Sequence, residues 1–200
     1  MKKIIVAILL LVGIAEYSQA QEFRMGFHID PGIGYMRPDV KYMDGGSRGS
    51  FGYGALMDYY FHDRYAISLG VNHLFNGGKL TLADSLAQNE FSIQYIELPL
   101  AIKLRTNQMG SQGLSFYGQM GLTPAINIKT KVNGNKAKDT AKPLNLGFSI
   151  GAGVQYPIDD PTALFLGIYF TNGFTNVVKN LPKESKVTLS NIGFKVGVIF

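Results

Sequence analysis

The 200-residue chain carries 19 Lys+Arg against 14 Asp+Glu, is 46% hydrophobic and only 16% charged, and holds 24 Gly, 13 Phe, 11 Tyr and no Cys. The missing cysteine excludes disulfides, thiolate metal sites, a Cys nucleophile and a lipid-modified Cys anchor. Beyond the first 20 residues no apolar run is long enough for a transmembrane helix. A membrane protein built without such helices must be a closed barrel, because lipid cannot satisfy open backbone groups.

Residues 1–20 read as a signal peptide: Lys2 and Lys3 precede the apolar stretch 4–14, and Ser18-Gln19-Ala20 offers small residues for cleavage. The remainder, 21–200, has the size of one domain. Removing Lys2, Lys3 and Glu16 leaves 17 basic and 13 acidic residues, a net charge of +4.

Period-two alternation predicts eight strands in chain order. They cover 24–36, 51–61, 65–74, 91–104, 114–127, 144–156, 163–174 and 187–200. In the closing run 191–200, Ile192, Phe194, Val196, Val198 and Phe200 share one face, and Asn191, Gly193, Lys195 and Gly197 make the other small or polar apart from Ile199. Short connections at 62–64, 105–113 and 157–162 alternate with longer ones at 37–50, 75–90, 128–143 and 175–186. Such alternation suits an eight-stranded antiparallel transmembrane β-barrel of the outer-membrane type, with short periplasmic turns, long external loops and both termini periplasmic. Pro31, Pro99 and Pro124 fall inside strands and predict local bulges. Phe91 to Gln94 read with parity opposite to the rest of their strand, which either a bulge or an exit above the membrane would explain.

A secreted carrier barrel would need a charged exterior. Here the second face is mostly Gly, Ser, Asn, Gln and Thr, as in Asn145, Gly147, Ser149, Gly151, Gly153 and Gln155, which suits the filling of a narrow lumen. Aromatic residues gather at strand ends, where headgroup girdles are expected. The charges within strands all have inward parity: Arg24, Lys103 and Lys195 against Asp30, Asp58 and Glu97, with His28 on the same face. Pairing Phe200 near Arg24 across the closing seam predicts a Lys195–Asp30 contact with His28 beside it.

The segment Tyr95-Ile96-Glu97-Leu98-Pro99-Leu100-Ala101-Ile102-Lys103 resembles the Tyr-x-Glu-(Leu/Ile)-Pro-Leu-x-x-Lys stretch of the PorT-like outer-membrane β-barrel proteins of Bacteroidetes-type bacteria. Residues 116–121 and the closing Gly193-Phe194-x-Val196-Gly197-x-x-Phe200 are similar too. The resemblance implies an integral outer-membrane barrel whose C-terminal Phe200 serves as a signal for the barrel-insertion machinery. The namesake member implies a link to secretion or envelope-assembly proteins.

Chemistry is sparse. Gly32-Ile33-Gly34 and Gly151-Ala152-Gly153 are strand glycines without the helix start that nucleotide binding needs. His62, Asp63 and His73 lack a further His at ligand spacing. No cofactor, metal or catalytic residue is expected, and no nucleic-acid partner. Three readings remain. The first is a structural or partner-binding barrel acting through Lys129, Lys131, Lys136, Lys138 and Lys142 in one loop and Lys179, Lys183 and Lys186 in another, which suit lipopolysaccharide or an acidic partner. The second is a narrow porin-like channel gated by pairs such as Glu97 and Lys103. The third is a lipid- or peptide-processing enzyme using His28 and Asp30 with Ser68 or Ser149. With the barrel running to Phe200, tethering through a following domain is not expected.

Overall fold

The computed structural model describes residues 22–40, 42–82, 88–111, 113–179 and 185–200; the predicted signal peptide lies outside them. Among the described residues ten strands are formed: β1 (Glu22–Pro38), β2 (Met43–His62), β3 (Tyr65–Leu82), β4 (Gln88–Glu97), β5 (Leu100–Arg105), β6 (Ser115–Val132), β7 (Asn135–Lys136), β8 (Leu144–Asp159), β9 (Thr162–Gly173) and β10 (Val187–Ile199). Strands β4 and β5 are one stave interrupted at Leu98-Pro99, and β7 is a short return of β6. The other strands and that stave pair antiparallel in a closed ring of eight, β1 meeting β10 and β2 meeting β3.

Lipid explains which face is which. Met25, Phe27, Ile29 and Ile33 on β1, Ile67, Leu69 and Val71 on β3, and Ile192, Phe194 and Val196 on β10 all stand exposed on the outer wall. An exposed apolar band of this kind belongs against acyl chains, as in outer-membrane barrels. The aromatic side chains pair at its margins: Phe23 lies 4.8 Å from Tyr59, Phe61 6.3 Å from Tyr65 and Phe27 6.1 Å from Phe200. Toward the other margin the rings of Tyr53, His73 and Phe75 touch in series.

The strands run well past this band. β2 spans 20 residues and β3 and β6 each span 18, whereas about 9–11 suffice to cross a bilayer. The barrel therefore projects beyond the membrane at the end away from the chain termini. The long connections expected at 37–50, 75–90 and 128–143 are largely strand: β1 and β2 take up 37–38 and 43–50, β3 and β4 take up 75–82 and 88–90, and the third begins with the β6–β7 hairpin. Asn133 and Gly134, with φ of 50° and 83°, form the two-residue turn between β6 and β7.

The expected proline bulges are corrected. Pairing keeps one register on either side of Pro31, of Pro99 and of Pro124, so none of these prolines makes a bulge. Each forfeits one donor, while the carbonyls of Pro99 and Pro124 still accept from Gly70 and Leu98. Of the two explanations for the opposite pattern at Phe91 to Gln94, a bulge on β4 is not found and the exit above the membrane fits. Phe91, Ile93 and Tyr95 point inward like Ala101 and Lys103 below them. Above the membrane band the exterior is water and the interior is the dry side, so the chemistry inverts while the pleat does not. The true irregularity lies opposite, where β6 shifts register between its pairings Tyr95↔Asn127 and Gln94↔Lys129. The extra residue, Ile128, turns Thr130 and Val132 inward and Lys129 and Lys131 outward.

Small residues make room inside. Gly153 and Gly167 face each other across β8 and β9, and a Cβ on Gly153 would lie 2.7 Å from the Tyr117 hydroxyl. The ring of Tyr117 occupies the slot they leave. Gly153→Leu is expected to destabilise the barrel by about 1–3 kcal/mol through overpacking. Thermal unfolding followed by the heat-dependent electrophoretic shift of the barrel would check this, and an unchanged midpoint would refute the slot.

Candidate functional site: a filled lumen with a sealed far end

Three layers fill the interior from the terminal end upward. In the lowest, Glu22 joins two guanidiniums, with Arg24 Nε at 2.7 Å and Arg105 Nη2 at 3.4 Å. The Arg105 guanidinium stacks over the Tyr60 ring, 4.2 Å from its centroid. Glu22 and Arg105 were not among the lumen charges read from sequence, because both fall at strand margins. Beside this layer Ile199, fully buried, packs with Phe165, Tyr117 and Ala163, which explains an apolar inward residue at the terminal end of the closing strand.

The middle layer holds the remaining expected charges. Lys103 Nζ donates to Asp58 Oδ2 at 2.5 Å, both groups buried, with the Tyr117 ring 4.7 Å from the ammonium. His28 Nδ1 lies 2.7 Å from Asp30 Oδ1, and Lys195 Nζ lies 3.5 Å from Asp30 Oδ2. The seam contact anticipated between Lys195 and Asp30 is thus formed, with Phe200 and Met25 exchanging backbone hydrogen bonds at 2.7 and 2.8 Å. Glu97 and Lys103 do not pair: Lys103 goes to Asp58 instead, because β3 and β2 bring Asp58 opposite Ser68 and Lys103 opposite Ala66. Above them Ser50 donates to Asn191, whose amide donates to Tyr169. The cavity shared by His28, Ser68, Ser149 and Lys195 is about 30 Å³, room for about two waters.

The top layer is apolar. Met36, Leu74, Leu80, Phe91, Ile93, Val187 and Leu189 point inward from the projecting wall. Two connections fold across the opening and add Ala141, Val177 and Val178. Ala141 bridges to Val178, Lys142 N–H donates to the Val177 carbonyl at 2.9 Å, and Lys179 N–H donates to the Thr140 carbonyl at 2.8 Å. The far end of the lumen is closed by this cluster. Planar-bilayer recordings of the purified barrel are expected to show no stable conductance. Steady unitary steps would contradict the packing.

Outside the seal lie the basic residues. Lys129, Lys131 and Lys136 are carried on the β6–β7 hairpin rather than on an irregular loop, and Lys131 stands directly opposite Lys136. Lys129, Lys136, Lys142 and Lys186 are exposed, and Lys131 and Lys179 are half-buried. Lys138 lies in a single 3-10 turn, and Lys183 falls outside the described residues. Phe200, at the opposite end, is exposed on the outer wall.

A family model described as outer membrane protein beta-barrel domain matches residues 5–200. No curated protein matches the chain. Among solved structures, Neisserial surface protein A is similar at 12% identity and a TM-score of 0.57, covering 90% of this chain and 98% of that one. OprG from Pseudomonas aeruginosa is similar at 15% identity and 0.48, covering 86% and 95%. Ail of Yersinia pestis is similar at 14% identity and 0.46, covering 90% and 99%. At 12% identity the likeness to Neisserial surface protein A is one of fold.

Proposed function

The chain belongs to the outer membrane protein beta-barrel domain family, and on that premise we propose that it is a structural or partner-binding component of the cell envelope that works through its far-end surface, not through its lumen. The observation that carries this reading is the filled interior: among the described residues, interlocked ion pairs occupy the lumen beneath an apolar cap. A channel reading would need that cap to move. An enzyme reading would need substrate to reach the His28–Asp30 pair through a space of about 30 Å³.

The proposed working surface is the basic rim. Like charges set directly opposite on a hairpin repel, so the Lys131–Lys136 pair gains most when an anion lies between them. Phosphate groups of lipopolysaccharide or an acidic partner protein would supply it. In the proposed orientation both termini are periplasmic and this rim is external. Phe200, exposed at the terminal end, then serves the insertion machinery during assembly. Within the family we place the chain among PorT-like members, on the segment Tyr95–Lys103. Its Tyr95, Glu97 and Lys103 all take inward positions around the Leu98-Pro99 break, so the motif is a piece of lumen wall. That placement would make secretion or envelope-assembly proteins the partners.

The test is affinity isolation of the tagged protein from a mild-detergent outer-membrane extract, beside a variant with Lys129, Lys131, Lys136 and Lys142 changed to Gln. Envelope proteins recovered with the wild type and lost with the variant are the expected result. Recovery of the barrel alone would overturn the partner-binding reading.

A further inference from the structure

At the terminal end, opposite the basic rim, a polar pocket of about 230 Å³ opens beneath the 106–114 connection. Its floor is buried: Ser115 on β6 and Gln155 on β8 face each other in register, with Ala163 beside them. Gln155 is only 3% exposed, and among the described residues its amide Nε2 has no hydrogen-bond partner. An orphaned buried donor of this kind costs free energy unless something accepts from it. Arg24 and Arg105 line the same pocket. Glu22 takes the Nε of Arg24 and one Nη of Arg105, and the Asp63 carbonyl takes the Nε of Arg105. Among the described residues, both Nη groups of Arg24 and the Nη1 of Arg105 have no protein acceptor.

We infer that this pocket binds a carboxylate, and that its ligand is the free C-terminal carboxylate of a peptide. The floor and one wall offer donors, Gln155 Nε2 and the two guanidiniums, so the matching group is an acceptor. Guanidinium forks fit the two oxygens of a carboxylate or phosphate in plane. Charge chooses between them. Glu22 beside the arginines and Asp63 at the rim offset both guanidiniums, which leaves a formally neutral site that tolerates a monoanion better than a phosphate dianion. The volume falls below that of pockets enclosing whole small molecules, so the end of a longer chain fits better. At the exposed rim, Asn107 and Gln108 supply neutral amides suited to a peptide backbone. The inference holds whichever side of the membrane this end faces, and it does not depend on the basic rim.

The test is an NMR titration of the full barrel in detergent micelles with three probes: N-acetyl-alanyl-alanine, its C-terminal amide, and inorganic phosphate. The expected result is saturable binding of the free-acid peptide, with the Gln155 side-chain amide shifting and the amidated peptide bound about tenfold more weakly or not at all. Gln155→Leu should weaken the free acid by a similar factor. If that variant does not fold, Arg24→Gln on the pocket wall should do the same. No binding of the free acid, equal binding of the amidated peptide, or tighter binding of phosphate would each overturn the proposal.

Discussion

Lys103→Met is expected to destabilise the barrel by about 3–5 kcal/mol, because it strands the Asp58 carboxylate, fully buried, without its counter-ion. Taking both ions out should be far milder. Asp58→Leu combined with Lys103→Met replaces the pair with apolar volume, and the double variant should recover most of the loss. Tyr117 sharpens the expectation, since its ring covers the ammonium and would pack equally well over a methionine thioether. Equilibrium denaturant unfolding in lipid vesicles measures all three proteins. A double variant as unstable as either single would mean that the ions stabilise the fold in their own right, beyond answering each other.

That pair also shows where reading from sequence stopped. The parity of Asp58 and Lys103 placed both inside, because within the membrane the outer face must be apolar and every charge has only one way to point. Lipid enforces the alternation, and so the eight staves, the outer faces of Phe27, Ile67 and Phe194, and the seam contact of Lys195 with Asp30 were all legible. Which inward charge meets which depends on stagger between neighbouring strands, and no residue pattern records stagger. Glu97 and Lys103 share a strand face and read as a lumen pair, yet the register carries Lys103 to Asp58.

Legibility fails where the lipid ends. At Phe91, Ile93 and Tyr95 the inside of the wall turns apolar while the outside meets water, so an unbroken pleat reads as a reversed one. The added residue at Ile128 left no mark in the alternation either, since Ile128 is as apolar as the outward Ile126 before it. The hairpin that follows did carry a signal. Asn133-Gly134 is the preferred pair for a two-residue turn, and its recognition would have moved Lys129, Lys131 and Lys136 from an irregular loop onto paired strands.

The apolar cap supplies the second large effect. Ile93→Ala, at a side chain with no exposure, is expected to cost about 2–5 kcal/mol, since the surrounding Phe91, Leu189 and Val187 are fixed on rigid staves and cannot collapse into the gap. Ile102→Ala on the next stretch of the same stave provides the contrast. Ile102 is 55% exposed on the membrane band, where mobile acyl chains close around a shortened side chain, and its loss should be distinctly smaller. The two substitutions remove the same atoms, so the difference isolates the packed cavity from simple transfer. The cap variant should also loosen the segments that carry Ala141, Val177 and Val178, because their hold on the mouth is apolar contact plus a few backbone hydrogen bonds. Limited proteolysis should then cut within 137–143 and 174–179 faster in Ile93→Ala than in the wild type, and no faster in Ile102→Ala. Equal losses and equal cleavage in the two variants would mean that the cluster at the far end is not a cooperative seal, and the case for a closed lumen would fall with it.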